Sequence, residues 1–229
     1  MFKKNKNLIF ITPLLISLTL GGCFSHNIGE KFNDPIFGYL KAFVSNGIYM
    51  GNMTWGGNFN AGCTGNGIAT ANCICNAEAA NYGIHNGREF RAWISTSTID
   101  ARCNILGQSA NNEECNLDFY DPDGYGPWLE VGTYKIIINS FSDFVDGNIN
   151  ETINYEASES VATVNPDVWT GTYTDGIGDG NNCINWTNNA GGTGTTGSIN
   201  RTDSGWSHWN SLSICSASYR LYCFEQPDL

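Results

Sequence analysis

The stretch SICSASYRLYCFEQ, residues 213–226, decides how the fold is read. Cys215 and Cys223 stand eight positions apart, and RLYCFEQ is a short apolar run with the character of a β-strand. A terminal strand flanked by two cysteines points to covalent closure of a domain if the compartment is oxidising. The other end of the chain supplies the compartment. MFKKNKN carries three lysines and no acid, and the apolar stretch LIFITPLLISLTL follows it. That pattern predicts a secretory signal peptide over residues 1–22, too short to span a bilayer comfortably.

The leader ends LGGC, residues 20–23: a branched apolar residue, two small residues and a cysteine. This is similar to the lipobox of bacterial lipoproteins, which implies cleavage before Cys23 and acylation of its thiol. Several acyl chains on one residue give a stable anchor without a transmembrane helix. Assigning Cys23 to lipid leaves eight of the nine cysteines, an even number that can pair completely. Phe24 and Ser25 include no acidic retention signal, which favours an outer membrane and a surface-exposed, lipid-anchored protein. Residues 23–38, polar with Gly and Pro, read as the tether, and 39–229 as one domain.

The whole chain has 11 basic and 22 acidic residues, and loss of the three leader lysines takes the net charge from −11 to −14. So acidic a chain is excluded from electrostatic binding to nucleic acid or anionic headgroups. Abundant Gly, Asn, Thr and Ser with seven tryptophans suit an extracellular domain of short strands and long ordered loops.

KAFVSNGIYM predicts a strand, and ATANCICNAEAANYG a helix of about three turns stopped by Gly83. In REFRAWISTS, Phe90, Ala92 and Ile94 alternate with Arg91, Trp93 and Ser95, the period of a strand. TYKIII, DVWTGTY, CINWT and RLYCFEQ are further strand candidates, residues 142–166 read as loop, and NNAGGTGTTGSINRTDSGWSHWNSLS reads as one long polar loop. Cys73 and Cys75, two apart on the helix, project to nearly opposite sides and need separate partners. Cys63 is the natural mate of Cys73, and Cys103 and Cys115 bracket one loop; Cys75, Cys183, Cys215 and Cys223 remain to staple the domain.

CNAEAANYGIHNGREFRAWIS, DVWTGT, CINWT and CSASYRLYCFE, in this order, resemble the C-type lectin-like superfamily, most closely its endostatin-like branch. FVSNGIYMGN and RLYCFEQ also resemble uncharacterised spirochaete surface lipoproteins with a C-terminal lectin-like domain. The resemblance covers about residues 42–226, weakly between 98 and 166. It implies an α+β, C-type lectin-like/endostatin-like fold: a twisted, mostly antiparallel sheet, one or two helices and long ordered loops. It also implies the pairings Cys75–Cys223 and Cys183–Cys215.

A sugar-binding member of that superfamily holds calcium with carboxylates and amides of its long loop. The Trp-Asn-Asp expected before the third cysteine stands here as Trp209, Asn210 and Ser211, so a carboxylate is missing. Another possible calcium site is Asp175, Asp179 and Asn181, in a DGIGDGNN run that reads equally as plain turns. Asp121 and Asp123, and Asp143 and Asp146, are weaker versions of the pattern, and none fits the twelve-residue EF-hand spacing. No cofactor other than calcium is expected. Trp206 and Trp209, in SGWSHWNS beside Asp203 and Asn210, suggest exposed aromatics for ligand contact, although tryptophans on such a loop also tuck beneath it. Trp93, Trp169 and Trp186, on strand candidates, read as core.

The leading expectation is a non-catalytic, lipid-anchored binding module that presents loops 170–182 and 189–213 to an extracellular protein or glycan, as in adhesion. A structural envelope lipoprotein without a specific ligand is the alternative. A glycan hydrolase using two of Asp175, Asp179 and Asp203 ranks below both, because no nucleophile elbow, zinc-protease motif or phosphate loop is present.

Overall fold

β1 (Leu40–Val44), the first strand, pairs antiparallel with the last, β10 (Tyr222–Glu225), and sets Phe43 opposite Cys223. On its far side β10 pairs antiparallel with β3 (Phe90–Ala92). β1 runs parallel to β4 (Trp128–Glu130), which pairs antiparallel with β5 (Ile136–Ile138), giving the order β3-β10-β1-β4-β5. β2 (Tyr49–Met50) and β9 (Ser218–Tyr219) form a short antiparallel ladder. The chain is thus α+β with mostly antiparallel sheets and few helices. The computed structural model describes residues 39–54, 62–109 and 125–227. The leader, Cys23, the tether 23–38, Cys115, Asp121 and Asp123 lie outside the described residues.

Alternation along the strands sends side chains into two cores, one on each face of the five-stranded sheet. Ala42, Val44, Tyr222 and Phe224 face one, with Trp93, Trp128, Phe144 and Trp206. Phe43 and Cys223 face the other, with Ile74, Phe90, Trp169 and Trp186. Trp93 and Ile94 are both buried because the alternation continues past β3: Ile94 joins Phe90 and Ala92 in the second core, and Trp93 enters the first.

The second core is covered by helix α1 (Gly67–Asn81), starting two residues before the ATANC run that predicts it. Ala71, Ile74, Cys75, Glu78 and Ala79 are buried, a stripe at i, i+3, i+4, i+7 and i+8. Gly83, at φ +70°, ends the helix: its N–H donates to Ala80 O and the Ile84 N–H to Ala79 O, the bonds of a Schellman motif. Cys75 points inward and bonds Cys223, while Cys73, on the outer side, bonds Cys63. Cys183 bonds Cys215. Cys103, in helix α2 (Ala101–Ile105), is also disulfide-bonded. All three pairings between described cysteines are those expected above.

Two expectations are corrected. CINWT is not a strand: Cys183–Trp186 is a turn of left-handed helix, with φ between +50° and +59° at four successive residues. Left-handed backbone costs an L-residue about 1–2 kcal/mol. The turn is held by the Cys183 disulfide, by Asn182 Oδ1 accepting from Asn185 N at 2.9 Å, and by Trp186 Nε1 donating to Ser95 O at 2.6 Å. Nor is 188–213 one long loop. It contains β7 (Thr193–Ser198) and β8 (Asn210–Ile214), which complete an antiparallel sheet with β6 (Asp167–Trp169) in the order β6-β7-β8. β7 reads as loop because its glycines are steric necessities. A Cβ on Gly194 would stand 2.8 Å from the Trp169 ring, and one on Gly197 1.8 Å from Trp206 O.

Candidate functional site

The turn between β7 and β8 places two tryptophans in opposite environments. Ser204–Trp206 forms one turn of 3-10 helix, capped by Asp203 Oδ1 accepting from Gly205 N at 3.1 Å. Trp206 is 0% exposed, its ring 5.2 Å from that of Trp93 and 5.7 Å from that of Tyr222. The expectation that Trp206 contacts ligand is therefore corrected: packing in the core removes it from the surface. Trp209, three residues on, is 52% exposed.

Trp209 is held as a platform. Its backbone N–H donates to Thr196 O at 2.7 Å, which fixes it to β7. The Arg201 guanidinium lies 4.5 Å above its ring centroid, a cation–π contact. Arg201 is oriented by Asp203: Nε donates to Oδ1 at 2.7 Å and Nη2 donates to Oδ2. That pairing holds the Asp203 carboxyl below its usual range and raises the Arg201 guanidinium above its own. Asn210, exposed, accepts from Leu212 N at 3.0 Å, and Leu212 and Ile214 on β8 are 71% and 61% exposed. Trp209, Asp203 and Asn210 thus lie on the turn and at the head of β8 and not on one long loop, and Arg201 joins them through its contact with Trp209. Nothing in the composition of NRTDSG singles out Arg201; its role comes from the turn that folds it back over Trp209.

Beside this surface, His208 lies tilted against the half-exposed Tyr173 with ring centroids 5.5 Å apart, and its Nε2 is 3.6 Å from Asp179 Oδ2. Asp179 is a buried acceptor, bonded by Thr195 Oγ1 and by Asn181 N at 2.8 Å.

No protein-family model matches this sequence, and no curated protein matches it. The chemistry of the surface therefore rests on its own residues. The three candidate calcium ligands are committed elsewhere. Asp175 Oδ1 accepts from Ile177 N at 3.1 Å, Asp179 serves Thr195 and Asn181, and Asn181 Oδ1 accepts from Thr193 Oγ1 at 3.3 Å. Among the described residues, no three His, Cys, Asp or Glu side chains converge as a metal-holding group. Asp175, Asp179 and Asp203 each serve a different hydrogen-bond set, and all three accept from the backbone N–H two residues on in their own segment. An exposed aromatic face beside a fixed ion pair can contact both apolar and hydrogen-bonding surface.

Proposed function

We propose that the chain is a binding module anchored to a bacterial outer surface through acylated Cys23, with a C-type lectin-like domain of the endostatin-like kind. Its ligand is an extracellular protein or glycan, contacted by Trp209 with Arg201, Asp203, Asn210 and the exposed side chains of β8. The domain is non-catalytic and binds through this surface without nucleic acid as a partner. The observation that carries the reading is the half-exposed Trp209 ring under the Arg201 guanidinium, fixed to a paired strand. A large aromatic held rigid loses little conformational freedom on binding, which is the property of an interface anchor. The lectin-like part of the reading is supported by the Cys75–Cys223 and Cys183–Cys215 bonds and by the pairing of first and last strands.

The test is binding of the purified protein to a glycan array and to extracellular matrix proteins, with and without calcium. A saturable ligand lost in Trp209→Ala supports the reading. Binding that survives Trp209→Ala and Arg201→Ala together places the contact elsewhere, and no saturable ligand favours a structural envelope role.

A further inference from the structure

The connection from α1 to β3 passes through His85, Asn86 and Gly87, all three exposed, with Gly87 at φ +100°. Two local hydrogen bonds fold it on itself. The Gly87 N–H donates to the imidazole Nδ1 of His85 at 3.3 Å, and the Arg88 N–H donates to Asn86 Oδ1 at 3.4 Å. The second bond curls the Asn86 side chain back along the backbone, across the Gly87 peptide, as in an Asx turn. A Cβ built on Gly87 would meet nothing within 4 Å, so the space around this residue is open.

The Asn-Gly pair at 46–47 shows the opposite arrangement. Gly47 is buried and its N–H donates to Glu78 Oε1 at 3.1 Å, while Asn46 Nδ2 donates to Glu156 Oε2 and Ser158 Oγ at 2.9 Å each. There the backbone nitrogen and the side-chain amide are both committed to other groups. At 86–87 the backbone N–H is held instead by a base.

A glycine after asparagine has no Cβ to keep its nitrogen away from the side-chain carbonyl carbon. Attack within one chain has the large advantage of proximity, and an imidazole that accepts the attacking N–H is placed as a general base. We infer that Asn86 is a self-modification site: His85 Nδ1 takes the Gly87 amide proton as Gly87 N bonds to Asn86 Cγ, and Asn86 passes through a cyclic imide to aspartate or isoaspartate. The Cγ–Nδ2 bond breaks, and Nδ2 departs as ammonia with the proton that His85 returns. Water then adds to either carbonyl of the imide and opens the ring, giving aspartate by one opening and isoaspartate by the other, with no change of oxidation state.

The product changes the contacts of this connection. Arg88 Nη1 lies 3.9 Å from Oε1 of the buried Glu225, and the Asn86 amide is hydrogen-bonded to the same carboxylate. Conversion replaces that amide donor with a second acid competing for one guanidinium, which loosens the tie between the connection and the end of β10. The site stands independently of the Trp209 surface.

The test is incubation of the purified protein in ¹⁸O-water at neutral pH, followed by peptide mapping with fragmentation that separates isoaspartate from aspartate. The expected result is both products at Asn86, each carrying a solvent oxygen, formed about tenfold faster in the folded protein than in the guanidinium-unfolded chain or in folded His85→Gln. Asn46 is expected to convert more slowly folded than unfolded, and Trp209→Ala to leave the Asn86 rate unchanged. Aspartate without isoaspartate would mean direct hydrolysis by water and would overturn the inference. So would equal Asn86 rates in the folded and unfolded protein, or an unchanged rate in folded His85→Gln.

Discussion

The side-chain amides of Asn72 and Asn104 each donate to the other's carbonyl oxygen at 2.9 Å, and together they close the free edge of β3. Asn72 Oδ1 accepts from Ala92 N at 2.9 Å, and Asn104 Nδ2 donates to Ala92 O at 2.7 Å. One helical turn along, Asn76 does the same for Phe90, accepting from its N–H and donating to its carbonyl at 2.8 Å each. Three amides thus stand where another strand would pair, a device that blunts edge-to-edge association. Asn72→Ala leaves Ala92 N–H and the Asn104 amide short of partners in a buried site, so a loss of about 2–4 kcal/mol is expected in denaturant unfolding. Asn72→Ala and Asn104→Ala are expected to cost less together than the sum of the singles, because they share a network.

How much of this is legible in the sequence differs by element. α1 is visible from its alanine-rich run and Gly83, and β1, β3 and β10 from their apolar runs, because these signals are local. Nothing in the sequence sets the asparagines on α1 apart, and only the arrival of β3 gives them work. β7 is hidden because Thr, Gly and Ser replace the usual strand formers where Trp169 and Trp206 press against the backbone. CINWT reads as strand because Ile and Trp favour one, while the left-handed turn is imposed by Cys215 and Ser95 from elsewhere in the chain. Trp206 and Trp209 share one polar neighbourhood in sequence, and burial of the first is decided by Trp93 and Tyr222, more than a hundred positions and sixteen positions away.

Glu78 gives the fold a defined pH dependence. Its carboxylate is buried, accepting from Asn46 N at 2.6 Å, Gly47 N at 3.1 Å and Tyr49 Oη at 3.0 Å. Burial dominates these bonds and raises its pKa from 4.5 to about 7. The folded state therefore keeps this proton when the unfolded chain has lost it. The associated stability is full below pH about 4.5 and is lost as pH rises to about 7. The slope in that window is up to about 1.4 kcal/mol per pH unit. Glu130 and Asp167, also raised by burial, act in the same direction. In urea titrations from pH 4 to 8, Glu78→Gln is expected to flatten the profile by the Glu78 share.

Ile184 is a β-branched residue at φ +55°, and it is 66% exposed, so its side chain returns little for the backbone cost. Ile184→Asn, which tolerates this conformation better, is expected to stabilise the domain by about 1 kcal/mol. Thermal unfolding should register this as a rise of about 2–4 °C in Tm.

The disulfides are expected to differ in worth by the length of chain that each closes. Cys75–Cys223 spans 148 residues and Cys63–Cys73 spans 10. Chain entropy assigns them roughly 5 and roughly 3 kcal/mol. Replacing both cysteines of the first bond with serine is expected to cost about 2 kcal/mol more than the same change at the second, measured by unfolding under non-reducing conditions.

The most direct test of the binding account is the affinity of Trp209→Ala for whichever glycan or matrix ligand the intact protein captures. Loss of at least about tenfold in affinity is predicted, with unfolding stability changed by about 1 kcal/mol or less, as befits an exposed anchor. An unchanged dissociation constant in a correctly folded Trp209→Ala protein would contradict it.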